Sequence, residues 1–177
     1  DALPGVNVQI YAPNWSTANA HYFNVTPATV TASAWPGVSM KPDDALHFAP
    51  LMLEHLAEVV RVERLAQTYP WRETMLADAI AGTHHIAVGA WYGGELVGFY
   101  LADRVIGEST LHNICLLPQW RGRRWGEALL RHYLQQAMEF GCFNCWLEVR
   151  RSNLVAKSLY LRVGYQQVGV RKGYYAC

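Results

Sequence analysis

The spacing of apolar residues along the chain switches between two and three-to-four, and each switch marks an element. Residues 109–117 read as a strand. After a polar turn, Ala128, Leu129, Tyr133, Leu134, Ala137 and Met138 recur at the spacing of one helical face, and Gly141 is placed to close that helix. Cys145-Trp146-Leu147-Glu148-Val149 is a short apolar run with one carboxylate inside it, followed by a helix over 153–163 and a strand over 166–171. Upstream, helices are expected over 54–67 and 72–81, and Tyr92-Gly93-Gly94-Glu95 joins two strands as a hairpin. Strand and helix alternate in the second half, which sets parallel strands side by side and predicts an α/β (α+β) domain.

Residues 1–45 differ in texture. Asn, Thr, Ser, Ala, Pro and aromatics crowd them, and there is almost no charge before Lys41. Val6 to Tyr11 alternates like a strand, while Pro13-Asn14, Pro27 and Trp35-Pro36-Gly37 are turn signals. A few short strands or a flexible, loosely docked extension is expected. Trp35-Pro36-Gly37-Val38-Ser39-Met40 has a likeness to starch-binding modules, which leaves carbohydrate binding as an alternative for this piece.

The polar turn carries the chemistry: Arg121-Gly122-Arg123-Arg124-Trp125-Gly126 leads straight into the apolar helix. Cations at a helix N-terminus oppose the macrodipole, so Arg121, Arg123 and Arg124 cost stability there unless an anion arrives. Unpaired amides of the first helical turn, with glycines that admit a ligand to the backbone, form a phosphate site. An ordinary solvated loop is the other reading of the turn by itself, and the strand before it and the helix after it favour the phosphate.

Bulk properties narrow the class. A chain of 177 residues makes one domain with a real core, and 51% hydrophobic residues at a formal net charge of +1 lack the basic excess of a nucleic-acid binder. No apolar run approaches the ~18 residues that span a bilayer, and the N-terminus has no basic segment followed by an apolar signal core. A soluble cytoplasmic protein, with neither membrane nor nucleic acid as partner, is expected. Four scattered cysteines do not make a disulfide framework. Cys142-x-x-Cys145 lacks a second Cys or His pair at zinc spacing, and His84-His85 would face opposite sides of a strand, so no metal is expected and both pairs read as structural.

With these residues in view the chain resembles the GCN5-related N-acetyltransferases (GNAT). That family's phosphate loop reads Gln/Arg-x-x-Gly-x-Gly/Ala; Arg121 and Gly126 match its ends, and Arg124 stands where the first glycine is usual. Tyr69-Pro70-Trp71-Arg72-Glu73, Leu111-His112-Asn113-Ile114, Trp146 to Asn153, Ala156 to Tyr165 and Arg171-Lys172-Gly173-Tyr174-Tyr175 are most similar, in order, to segments of its ribosomal-protein-alanine N-acetyltransferase branch. The likeness covers about residues 46–177. It implies the GNAT fold, a mixed central sheet flanked by helices with a V-shaped splay between central strands, and acetyl-CoA as cosubstrate. Relatives also carry a last strand, between those flanking the 153–163 helix, for which this chain shows no segment before Cys177. The N-terminal extension or a second copy is expected to fill that place, since unpaired edges invite pairing.

The resemblance also assigns roles. Glu148 matches the family's base; desolvation among Trp146, Leu147 and Val149 would raise its pKa and improve it as a proton acceptor, whereas periodicity alone also allows an exposed glutamate paired with Arg150. Tyr160 matches the acid that protonates the leaving thiolate, with core packing the alternative. It lies two helical turns after Asn153, ~10 Å along one face. The amide of Leu116, beside Ile114 and Cys115, would polarise the thioester carbonyl, while Arg121 to Gly126 would hold the pyrophosphate and Asn153 the pantetheine arm or a phosphate. For the acceptor, Trp71 resembles one wall of the substrate site and Tyr174 and Tyr175 the opposite lip; Glu108 would read a cationic N-terminal residue or is a solvated charge. The expected reaction acetylates the α-amine of a protein N-terminus, the N-terminal alanine of a small-subunit ribosomal protein foremost. Acetylation of lysine or a small amine, and a CoA-binding module without chemistry, are the alternatives.

Overall fold

One mixed sheet of seven strands organises the molecule: β1 (Ala20–Val25), β2 (His47–Pro50), β3 (His85–Tyr92), β4 (Glu95–Val105), β5 (Glu108–Leu116), β6 (Asn144–Arg150) and β7 (Gln166–Arg171), in spatial order β2-β3-β4-β5-β6-β1-β7. This computed structural model describes residues 45–171, with side chains for 45–170, and the backbone of 20–25. The helices among them are α1 (Leu56–Ala66), α2 (Glu73–Ala81), α3 (Trp125–Glu139) and α4 (Leu154–Val163). β5 and β6 pair in parallel, the crossover between them running through α3, and every other pairing is antiparallel.

Each element follows from its residues. Gly93 and Gly94 take φ of 57° and 77°, which a tight β3–β4 hairpin requires at both central positions. Gly141, at φ 77°, ends α3, and the next amide, of Cys142, donates back to the Ala137 carbonyl at 2.9 Å. β4 is central and buried on both faces. Leu96, Phe99 and Leu101 pack with Val59, Val62 and Leu76 of α1 and α2, while Val97, Tyr100 and Ala102 pack with Leu130, Tyr133 and Leu134 of α3. Tyr100, Tyr133, Tyr165 and Phe99 are among the largest fully buried side chains; each apolar body of this kind contributes about 1.5–3 kcal/mol.

The place between the strands flanking α4 is taken by a segment from the N-terminal side of the chain. β1 pairs with β6, Phe23 opposite Leu147, and with β7, Ala20 opposite Arg171. It thereby supplies hydrogen-bond partners to an edge of each. The strand is 20–25, which sequence alternation did not mark; Val6 to Tyr11 and the Trp35-Pro36-Gly37 turn lie outside the described residues.

One smaller expectation changes. His84 sits in the turn before β3 and only His85 is in the strand, its Nδ1 donating towards the Asp78 and Ala79 carbonyls at 3.2 and 3.1 Å. Cys142 and Cys145 are buried thiols, and burial pushes Cys145 up to about 12. Among the described residues no group of three or more His, Cys, Asp or Glu is arranged to hold a metal, and no helix is long and apolar enough to cross a membrane.

Candidate functional site

β5 and β6 pair only from Glu108–Asn144 to Leu111–Leu147, although β5 continues to Leu116 and β6 to Arg150. A cavity of about 190 Å³ lies against the continuations. It is lined by His112, Asn113 and Ile114 of β5, by Glu148, Val149 and Arg150 of β6, by Asn153, Ala156 and Tyr160 at α4, and by Gln67 after α1. The local cause is a bulge. Leu101 stands opposite Asn113 and Ala102 opposite Leu111, so His112 is an extra residue in β5, bending the strand where its pairing with β6 ends.

Beyond the bulge, the Leu117 amide donates to the Val97 carbonyl of β4 at 2.8 Å. Successive amides of an extended strand point to opposite edges, which turns the Leu116 amide away from β4 and towards the side where β6 has left. Of residues 114–116 only Ile114 lines the cavity. The Cys115 thiol is buried against Glu63, 4.0 Å from Oε2, and Leu116 packs in the core, so Leu116 can offer its backbone and Cys115 stays behind the site.

Beneath the cavity floor lies a network the sequence did not announce. Glu63 of α1 is 1% exposed. Its Oε1 accepts the Trp71 amide at 2.9 Å and its Oε2 accepts the Asn113 side-chain amide at 3.0 Å; the Asn113 carbonyl in turn accepts from Gln67 Nε2 at 3.0 Å. Burial raises the Glu63 carboxyl above its ordinary value, and the hydrogen bonds from Trp71 and Asn113 partly offset that. Trp71, expected as a substrate wall, does not line the cavity. It packs against the α1–α2 core, and its amide fixes the loop on which Tyr69 lies. Arg150 reaches from β6 across to the Tyr69 ring, 4.3 Å from its centroid, bringing the two rims together.

The arginine turn divides its three cations. The Arg121 guanidinium, expected at a phosphate, donates to the Leu116 carbonyl at 3.2 Å and to the Ala66 carbonyl at the end of α1 at 2.8 Å. It ties the turn to β5 and to the end of α1, partners for this cation that no local signal announced. Arg123 stacks over Trp120 at 4.9 Å, within an aromatic group in which Trp120 and Trp125 stack at 5.0 Å and Tyr92 meets both. Arg124 takes φ 62°, the left-handed conformation a glycine adopts freely, so the turn keeps its path without a glycine there. The first α3 hydrogen bond runs from Ala128 to the Arg124 carbonyl at 3.1 Å. The amides of Trp125, Gly126 and Glu127 therefore lack an intrahelical partner and suit a phosphate, and Gly122, at φ 79°, turns the backbone just before them.

Glu148 is half-buried on β6 and Tyr160 is 6% exposed on α4; both line the cavity. Tyr160 also packs in the core with its ring 5.8 Å from that of Tyr165, so packing and a place in the cavity coexist. Asn153 lines the cavity and caps α4, its Oδ1 accepting the Ala156 amide at 3.1 Å. Glu108 does not join the site. It begins β5 opposite Asn144, ~10 Å along the paired stretch from Leu111, and does not line the cavity. Tyr174 and Tyr175 lie outside the described residues.

Comparison with known proteins identifies the family. The chain is 31% identical over 120 residues to the [ribosomal protein bS18]-alanine N-acetyltransferase of Escherichia coli (strain K12), covering 68% of this chain and 80% of the relative. It is 34% identical over 114 residues to the Haemophilus influenzae protein of the same name, covering 64% and 77%. The crystal structure of the ribosomal-protein-S18-alanine N-acetyltransferase from Escherichia coli matches with a TM-score of 0.72 at 28% identity, over 75% of this chain and 85% of that one. The model of the acetyltransferase (GNAT) family matches residues 53–165, and the chain belongs to that family, whose members use acetyl-CoA.

Proposed function

We propose that the protein transfers the acetyl group of acetyl-CoA to the α-amine of a protein N-terminus, as a RimI-like peptide α-N-acetyltransferase, with the N-terminal alanine of a small-subunit ribosomal protein as its acceptor. The observation that carries this reading is the cavity between the unpaired ends of β5 and β6, with a carboxylate, Glu148, on one wall and a phenol, Tyr160, on the other. Identity to the bS18-alanine N-acetyltransferases supports the acceptor class.

In this reading the amides of Trp125 to Glu127 hold the pyrophosphate, and the outward edge of β5 at Ile114 and Leu116 takes the pantetheine arm as an added strand would. The Leu116 amide donates to the thioester carbonyl oxygen, already oriented before charge develops on it. Glu148 accepts a proton from the acceptor nitrogen. An α-amine, with a pKa near roughly 7.7–8.0, asks only a modest base, whereas lysine near about 10.4 asks far more. Tyr160 gives the departing thiolate its proton.

The test is mass spectrometry of peptides with free N-termini incubated with acetyl-CoA, alanine-first sequences beside lysine-containing, N-terminally blocked ones. Acetylation at the α-amine is expected. Exclusive modification of lysine, or acetyl-CoA binding without thiol release on any peptide, would overturn the assignment.

A further inference from the structure

His112 and Asp103 form a pair that the roles above leave unused. His112 is the extra residue of the β5 bulge and lines the cavity. Its Nε2 lies 2.8 Å from Asp103 Oδ2 on β4, and Asp103 Oδ1 accepts the Thr110 amide at 3.2 Å. A carboxylate accepts only, so Nε2 carries the hydrogen and Nδ1 is left as the ring's proton-accepting nitrogen. A ring whose tautomer is set by a second group presents a defined proton-accepting atom.

Proton accounting for acetyl transfer to an ammonium calls for two acceptors. The nitrogen begins with three hydrogens and ends, as the amide, with one. We propose that His112, positioned by Asp103, takes the first proton, converting the bound ammonium to the neutral amine, and that Glu148 across the cavity takes the second; this rests on the reading under Proposed function. His112 Nδ1 gains one proton and later returns it to water. The amine then forms the N–C bond as the C–S bond breaks, the thiolate receives a proton from Tyr160, and Glu148 takes the second nitrogen proton, which restores the phenol. The net products are amide, free thiol and one proton released.

The charged groups around His112 fit the role. Asp103 faces it from β4, with His85 of β3 acting on Asp103 from behind; Glu148 and Arg150 share the cavity from β6, and Glu63 lies buried below on α1. Burial works to raise the Asp103 carboxyl, but the hydrogen bond and charge of His112, the Thr110 amide and His85 outweigh it and hold Asp103 below the ordinary range. Asp103 thus stays ionised throughout the range in which an amine titrates.

The experiment is the pH profile of kcat/KM, from pH 6 to about 11.5, for the wild type, His112→Phe, His112→Gln and Asp103→Asn at saturating acetyl-CoA, on one α-amine peptide and one lysine peptide. The His112 variants should fall about 10–100-fold below the wild type while the acceptor is an ammonium, and converge with it once the solution amine is neutral, near roughly pH 8–9 for the α-amine and about two units higher for lysine. Asp103→Asn should shift the profile in the same direction by less. A constant ratio at every pH in whichever His112 variant retains the wild-type Tm, or no change at all, overturns the proposal while leaving the function standing. A wild type active only on lysine overturns the N-terminal reading, and the convergence point is then read on lysine. A wild type that acetylates neither peptide overturns both.

Discussion

Glu63 on α1 accepts the side-chain amide of Asn113 on β5 at 3.0 Å, so a buried carboxylate anchors the residue next to the bulged His112. A second oxygen of the same group holds the Trp71 amide. Glutamine at this position has one acceptor, which leaves either Trp71 or Asn113 facing an NH2 group, and Glu63→Gln should cost about 1–3 kcal/mol. The folded state binds the Glu63 proton more tightly than the unfolded chain. The stabilisation tied to that proton is complete below the unfolded value, 4.5, and is lost as pH rises through the raised folded value. Denaturant melts at several pH values should therefore show the wild type's advantage over Glu63→Gln shrinking as pH rises; an advantage that grows would contradict the burial of this carboxyl.

Gly98 on β4 stands opposite Leu116. A Cβ there would come 2.5 Å from the Cys115 carbonyl oxygen, a backbone atom that cannot move without moving the strand. Gly98→Ala should destabilise by about 1–3 kcal/mol and displace the Leu116 amide. Thermal melts read the first effect and calorimetric acetyl-CoA affinity the second; wild-type values for both would remove Leu116 from the site.

Arg124 holds a left-handed backbone at φ 62°. Relief of that strain on Arg124→Gly is opposed by the greater freedom of glycine in the unfolded chain, and the net change should lie within about 0.5–1 kcal/mol. Arg124→Val, β-branched at the same φ, should lose more than about 1 kcal/mol. Comparing the Tm of the two variants checks this, and equal losses would mean that the side chain matters more than the backbone.

β1 supplies partners to β6 and β7. Amides of 20–25 that donate to those strands should exchange slowly in a monomer, and deletion of residues 1–25 should leave two strand edges bare and drive self-association. Hydrogen exchange by mass spectrometry and light scattering test the two halves; fast exchange throughout 20–25 would dismiss the strand.

The second half of the fold was legible because its periods are strong and its punctuation explicit. Gly93-Gly94 marked the hairpin, Gly141 closed α3, and Asn153 opened α4. The cavity was legible in part, since Glu148 and Tyr160 do meet at it. What escaped depends on register and on distant contacts. No local signal places an extra residue at His112, joins Glu63 to Asn113 half a hundred positions away, or says that Arg121 has carbonyls for partners. That Glu108 lies away from the cavity was hidden because a strand's sequence does not reveal which of its ends stays paired. β1 shows no clear alternation, and its conformation comes from the two strands that flank it.

The position of β1 also constrains the order of assembly. A ribosome releases residues 20–25 ahead of their neighbours in β6 and β7, which emerge roughly 120–150 positions later, so the segment must wait unpaired while the middle of the sheet condenses. Closure of the sheet is thus a late, long-range event, and β6, which carries Glu148, gains its second neighbour only when segments more than a hundred positions apart meet.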